Sequence, residues 1–360
     1  MDLVAVRGGI PVLDRYAYLN AGTFGPLPRA TFAAMQEVEL RELEEGRSSR
    51  AYFERVMAER EALRAALASL VAAPADCVAI TSSSTEGCNI VVRGLGIGPG
   101  DEVVTTDSEH PGLFGSLVAS GATIRQAAIR DRPFGEALAA LEDELSPRTK
   151  LIAVSHVSWL TGAVLPVREL AGRGPPLLVD GAQGAGAIPV DVEELGCDFY
   201  TISAQKWLLG PAATGGLYVR RERFENVAVT FPSYLCWQHP EYVLVESAGR
   251  YESTFTPAAS VAGLLAALAF AAEAGEERFA RARGAAERCR ELLAGRGLEV
   301  VTEPGHATLV SFRADEPAEV VARLGEQGVI VRDLPGTGLV RVSCGFWTSD
   351  DDLERLARGL

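Results

Sequence analysis

Between residues 78 and 219 short apolar runs alternate with longer segments of mixed polarity. The runs 78–81, 102–106, 123–129, 151–155, 177–180, 198–203 and 216–219 are too short for helices and rich in Val, Ile and Leu, and most of the segments between them carry helical spacing. Near-continuous apolar strands separated by helices predict the α/β class, with a mostly parallel central sheet and helices on both faces. In such sheets ligands gather beyond the carboxyl ends of the strands. Upstream, helix formers run from Pro28 to Glu45, and Phe53, Val56, Leu63, Leu67 and Leu70 mark a second helix over 51–71. After Gly249 the rhythm changes. Helices over 257–274 and 276–293, strands over 298–302 and 308–312, a helix over 317–327, strands over 329–332 and 339–343 and a last helix from Asp350 predict a smaller α+β unit. A chain of 360 residues exceeds the size at which one core keeps growing. We expect a large domain over 16–249 and a small one formed by 1–15 and 250–360.

With 48% hydrophobic and 23% charged residues the chain is an ordinary globular one. Its net charge of −14 argues against nucleic acid or an anionic membrane as partner. The most apolar stretch, 258–272, falls short of the roughly 20 residues of a membrane span. The amino end lacks the basic start and apolar core of a secretion signal, so a cytoplasmic location is expected. The six cysteines form no Cys-x-x-Cys pair and the four histidines no cluster, which predicts reduced thiols and no metal.

Chemistry concentrates where the strands end. Lys206 follows the run 198–203 and precedes Trp207 and a Gly-Pro turn. A lysine at the end of a buried strand is costly to hold unless its amine is neutral, paired or covalently used. A desolvated amine attacks aldehydes; a lysine that snorkels to the surface fits the same position. The loop Thr81-Ser82-Ser83-Ser84-Thr85 opens a helix and suits a phosphate, or a simple N-cap. His110, in Asp107-Ser108-Glu109-His110, can stack on a planar ring, move protons or lie solvated. Asp180 ends an apolar strand, where it can simply cap the following turn or, as a buried carboxylate, needs a cation such as a protonated pyridine nitrogen, with Gln183 then within reach of a phenolic oxygen. The stretch Asn20 to Pro28 reads as a tight turn, and Gly94 to Gly100 as a helix-to-strand turn in the wrong order for a dinucleotide site. A Schiff-base lysine, a carboxylate, a phosphate cradle and a stacking histidine, each from a different strand end, make joint sense around pyridoxal 5'-phosphate.

The order and spacing of the Ser/Thr loop, Glu109-His110, Asp180-Gly181-Ala182-Gln183 and Lys206-Trp207 resemble the class V aminotransferase and cysteine desulfurase group, from Tyr18 to the final helix. That resemblance implies the fold of type I pyridoxal phosphate-dependent transferases. It implies that Lys206 carries the cofactor, that His110 stacks on its ring and takes part in catalysis, that Asp180 pairs with the pyridine nitrogen and that Gln183 meets the ring oxygen. Ser84, Thr85, Ser203 and Gln205 would hold the phosphate, and Arg341 the substrate carboxylate, with Asn20 and Trp159 on the substrate side. It further implies a homodimer with the active site near the interface, in which Thr254 or Thr256 reaches the partner's cofactor.

Three positions depart from the group's pattern: Gln205 replaces the usual histidine, Trp159 an asparagine, and Phe255 the threonine of the partner-reaching segment. Desulfurases also carry a reactive cysteine just before the substrate arginine, whereas residues 332–340 contain none. Cys344 and Cys88 read as core residues. The runs Gly25-Pro26-Leu27-Pro28, Glu109-His110-Pro111-Gly112 and Gly215-Gly216-Leu217-Tyr218 are similar to the cyst(e)ine carbon–sulfur lyases of the group. The function implied is β-elimination on a cysteine or cystine substrate. The alternatives are amino transfer, desulfurase-like or epimerase activity, or a non-catalytic scaffold of the same fold.

Overall fold

In the computed structural model, which describes residues 1–130 and 132–360, the apolar runs of the middle of the chain form one seven-stranded sheet. In chain order the elements are α1 (Leu3–Gly8), β1 (Ala17–Tyr18), α2 (Arg29–Glu45), α3 (Arg50–Leu70), β2 (Val78–Thr81), α4 (Ser84–Gly94), β3 (Glu102–Thr106), α5 (Pro111–Ser120), β4 (Thr123–Ala127), α6 (Ala137–Asp143), β5 (Thr149–Ser155), α7 (Val167–Leu170), β6 (Leu177–Asp180), α8 (Val192–Leu195), β7 (Phe199–Ser203) and β8 (Gly215–Val219). The sheet order is β2-β8-β7-β6-β5-β3-β4. All pairs are parallel except those of β8, which runs against both neighbours. Strands β2, β3, β6, β7 and β8 are buried along their whole length, as strands covered on both faces must be. The edge strand β4 carries Arg125 and Gln126, which discourages pairing with another chain.

The helices that open at the ligand side of the sheet start on local signals. Ser83 caps α4 by accepting the amide of Glu86. His110 Nδ1 caps α5 by accepting the amide of Gly112, with Pro111 at the first helical position. Both caps are also residues of the candidate site.

The remaining elements are β9 (Trp237–Gln238), β10 (Val243–Leu244), α9 (Ala258–Glu273), α10 (Glu277–Gly295), β11 (Leu309–Arg313), α11 (Pro317–Glu326), β12 (Val329–Ile330), β13 (Arg332–Leu334), β14 (Leu339–Ser343) and α12 (Asp350–Gly359). Strands β11, β14 and β13 form an antiparallel sheet with its own core of Leu19, Val310, Val342 and Leu353. Strand β1 pairs in parallel with β12, so the beginning of the chain lies beside its end. Helix α9 packs on α2 and α3. Among the described residues no single helix is long and apolar enough to cross a membrane.

Two expectations are corrected. Residues 298–302 make no strand: Val300 forms only an isolated bridge to Phe312, and Thr302 turns its hydroxyl to the carbonyl of Thr161. The run 329–332 divides, because Val329 and Ile330 pair with β1 while Arg332 begins the pairing with β14.

Candidate active site

The backbone around Lys206 is fixed by the amino-terminal turn. Gly25 donates its amide to the carbonyl of Gln205 at 2.7 Å. A Cβ at Gly25 would lie 2.1 Å from the Lys206 carbonyl oxygen, so no side chain fits there. The stretch that reads as a plain turn is therefore a wall of the site. Burial pushes the Lys206 amine down to about 8, with Arg341 acting in the same direction and Asp180 against it. A substantial neutral fraction at physiological pH makes this amine a nucleophile.

Asp180 is not on the cavity wall but acts electrostatically on both Lys206 and His110; it is 4% exposed, with Oδ1 accepting from Ala182 N at 3.0 Å and Thr201 Oγ1 at 3.1 Å. Gln183 is held at both ends, donating to the Gly22 carbonyl and accepting from Trp207 Nε1, each at 2.8 Å. Because His110 Nδ1 accepts the Gly112 amide at 3.0 Å, the proton of the neutral ring sits on Nε2. Burial and the charge of Lys206 push His110 down to about 4, helped by Arg341 and opposed by Asp180, so the ring is neutral at pH 7. Trp159 meets it edge-on at 5.1 Å.

Ser84 and Ser203 join at the amino end of α4, hydroxyl to hydroxyl at 3.1 Å. With Ser83, Thr85 and Gln205 they line one end of a cavity of about 240 Å³, and all five are uncharged. The other end is cationic. Arg341, 2% exposed, donates to the Trp159 carbonyl at 3.0 Å and to Thr23 Oγ1 at 3.1 Å. Burial, and then Arg332, push its guanidinium down to about 9. Thr254 and Thr256 lie outside this cavity, Thr254 exposed and Thr256 half-buried.

Four buried polar atoms in and beside the cavity wall lack a partner: Asn20 Oδ1, Trp159 Nε1, Gln205 Oε1 and Arg341 Nε. Interiors rarely leave such atoms unpaired, so their gathering marks a cavity shaped for a polar ligand.

Sequence reasoning gave no site role to Gly22, Thr23, Glu109 and Arg332. Arg332 is the register partner of Arg341 across the β13–β14 hairpin and lines the same cavity. The Pro335-Gly336 turn between two short apolar runs was the available signal. Glu109 ties the His110 loop to β5, accepting from Thr106 Oγ1 at 2.7 Å and from Ser155 N and Oγ at 3.0 and 2.5 Å. Burial raises its carboxyl to about 7 against those hydrogen bonds.

Over residues 17–356 the sequence matches the family described as Aminotransferase class-V. The chain belongs to that family. It is 33% identical over 77% of its length to a probable cysteine desulfurase of Pseudomonas aeruginosa, covering 76% of that protein. It is 28% identical over 100% of its length to isopenicillin N epimerase of Streptomyces clavuligerus, covering 98% of it. Among solved structures it is similar to the cystine C-S lyase C-DES in complex with its reaction product cysteine persulfide. There the identity is 30% and the TM-score 0.92, over 97% of this chain and 98% of that one. A second C-DES structure, also at TM-score 0.92, holds glycine covalently linked to its PLP cofactor. This class V chain is accordingly a pyridoxal phosphate-dependent enzyme of fold type I. Its residues fit that cofactor: neutral donors stand at a helix start, and a lysine with lowered proton affinity shares the cavity wall with Arg341 and feels the buried carboxylate of Asp180.

Proposed function

We propose that this class V enzyme is a β-eliminating carbon–sulfur lyase that acts on cystine-type substrates as a cytoplasmic homodimer. The observation that carries the reading is a cavity with Lys206, Arg341 and Arg332 on its wall and no thiol. All six cysteines are buried elsewhere. A sulfur group therefore leaves on the departing fragment rather than on the protein. For cystine the balance is one water consumed and pyruvate, ammonia and cysteine persulfide formed.

Pyridoxal phosphate, when bound, supplies an electron sink for the pair left at the substrate Cα. Lys206 would anchor it covalently, and its amine, once free, would serve as the base for the Cα proton. Asp180, oriented by Thr201 and Ala182, keeps the pyridine nitrogen protonated. The neutral His110 ring would stack on the pyridine, and Gln183 would meet the ring oxygen. Ser84, Thr85, Ser203 and Gln205 receive the phosphate. Arg341 grips the α-carboxylate through its fork, with Asn20 and Trp159 beside it. Arg332 takes the distal carboxylate that cystine carries and cysteine lacks.

Exposed Phe32, Leu40 and Leu43 on α2, Phe53 on α3 and Tyr234 and Tyr242 beyond the sheet support a homodimer, since such side chains favour burial against a second copy. Thr254 or Thr256 would then serve the partner's cofactor. Incubation with L-cystine tests the activity: equimolar pyruvate and ammonia with a persulfide are expected. Keto-acid-dependent amino transfer, or racemisation without elimination, would overturn it. Light scattering at the mass of a monomer would remove the dimer.

A further inference from the structure

Arg60, Glu252 and Arg64 are 1%, 2% and 8% exposed, and none lines the cavity. The Glu252 carboxylate receives the guanidiniums of both arginines and the amide of Ile80, the last at 2.9 Å. Arg64 also donates to the Val78 carbonyl at 2.7 Å. The next residue continues the connection, since Ser253 donates to Glu86 Oε1 at 3.2 Å while Glu86 Oε2 accepts the amide of Ser82 at 2.6 Å. Residues 252 and 253 thus grip β2 on one side of the 82–85 loop and the first turn of α4 on the other. Arg60 also lies 4.8 Å from the centre of the Phe255 ring, which fixes the following residues. Its Nη1 is buried without a partner, so the cluster leaves a charged donor unsatisfied. A buried ion triad adds little to stability compared with apolar packing and is strongly disruptive when one member is lost. Geometry is what such a triad controls.

We propose that the Arg60–Glu252–Arg64 triad is a clasp that sets the shape of the 82–85 loop and thereby the protein's affinity for the cofactor's phosphate. The three are positioning residues. The inference rests on the placement of the phosphate at Ser84 and Ser203. It also makes residues 252–256 and the loop one mechanical unit, so that the segment carrying Thr254 and Thr256 and the cradle of its own subunit move together.

The test is the dissociation constant of pyridoxal phosphate from the apoprotein, read by absorbance titration and by quenching of tryptophan fluorescence, with circular dichroism to confirm the fold. Three variants separate position from charge. Arg60→Met lowers the cluster's charge by one, Glu252→Gln raises it by one, and the double variant restores the original charge without the ion pairs. The clasp requires that Glu252→Gln and the double variant both weaken binding by about tenfold or more. Native affinity in the double variant, or affinity that follows net charge across the three, would overturn it. Ser253→Ala cuts only the second grip, and a rise of about threefold is expected with an unchanged melting temperature. No change there would also count against the clasp. Ser84→Ala is the control: if it leaves the affinity intact, the phosphate placement itself fails, whereas loss there alone removes only the clasp.

Discussion

Two guanidiniums on the cavity wall, Arg341 and Arg332, come from register-paired residues of neighbouring strands and make the end we assign to the substrate, while Ser83, Ser84, Thr85, Ser203 and Gln205, which we assign to the phosphate, carry no formal charge. The two ends meet anions under different conditions. A cofactor held covalently, as proposed for Lys206, stays, and for it fixed hydroxyls and a helix start suffice. A substrate comes and goes, and for it charge provides attraction over distance and a planar fork provides orientation. Charge at that end has a cost, because burial and then Arg332 push the Arg341 guanidinium down to about 9. A bound carboxylate relieves both causes.

The strongest way to break this comparison is to remove what joins the ends. Lys206→Ala is expected to abolish the visible absorbance of the enzyme and to lower turnover by at least about 10³-fold, the upper part of the range for a lost catalytic acid–base group. Next come the two arginines, measured side by side. Arg341→Met should lower kcat/KM for cystine and cysteine alike, by about 2–4 kcal/mol of lost charged hydrogen bonds. Arg332→Met should raise KM for cystine about tenfold and leave cysteine nearly unchanged. Equal effects of the two variants on both substrates would erase the assignment of a distal carboxylate to Arg332.

The pH dependence probes the junction directly. Only the neutral Lys206 amine attacks an aldehyde, and burial depresses its pKa, so the neutral form dominates above about 8. Covalent capture of pyridoxal phosphate by the apoprotein should therefore accelerate from pH 6 to 8 and level off by pH 9. An ordinary lysine would keep accelerating up to about 10.4. The smallest effect is expected at the neutral end. Gln205→His adds a titratable group there, and cofactor affinity should rise by no more than about threefold, and only below about pH 6.5. A large gain would mean that the phosphate end lacks the charge it needs.

Much of this arrangement was legible because the strands end sharply. Apolar runs stop at Thr81, Thr106, Asp180 and Ser203, and those ends fall where expected. Ser84, Thr85, His110, Gln183, Ser203, Gln205, Lys206 and Arg341 then line one cavity because a parallel sheet gathers its carboxyl ends. What escaped depends on register and on distant contacts. Arg332 faces the cavity only because the β13–β14 hairpin pairs it with Arg341. Glu109 was passed over because its partner Ser155 lies 46 residues away. Gly22 and Thr23 read as turn residues, although Gly22 N bonds Ser343 Oγ across 321 residues. Strand propensity over 298–302 lost to a side-chain hydrogen bond with another loop.

The contact between Thr23 and Arg341 spans 318 residues, and Gly25 closes over Gln205 from the same turn. The amino-terminal turn is therefore an unfinished wall until strand β14 has been added. A nascent or truncated polypeptide that ends before Arg341 has no carboxylate anchor and no partner for Thr23. The end we assign to the substrate is thus the last to be completed, and a shortened chain would lose turnover before it lost the cofactor's colour.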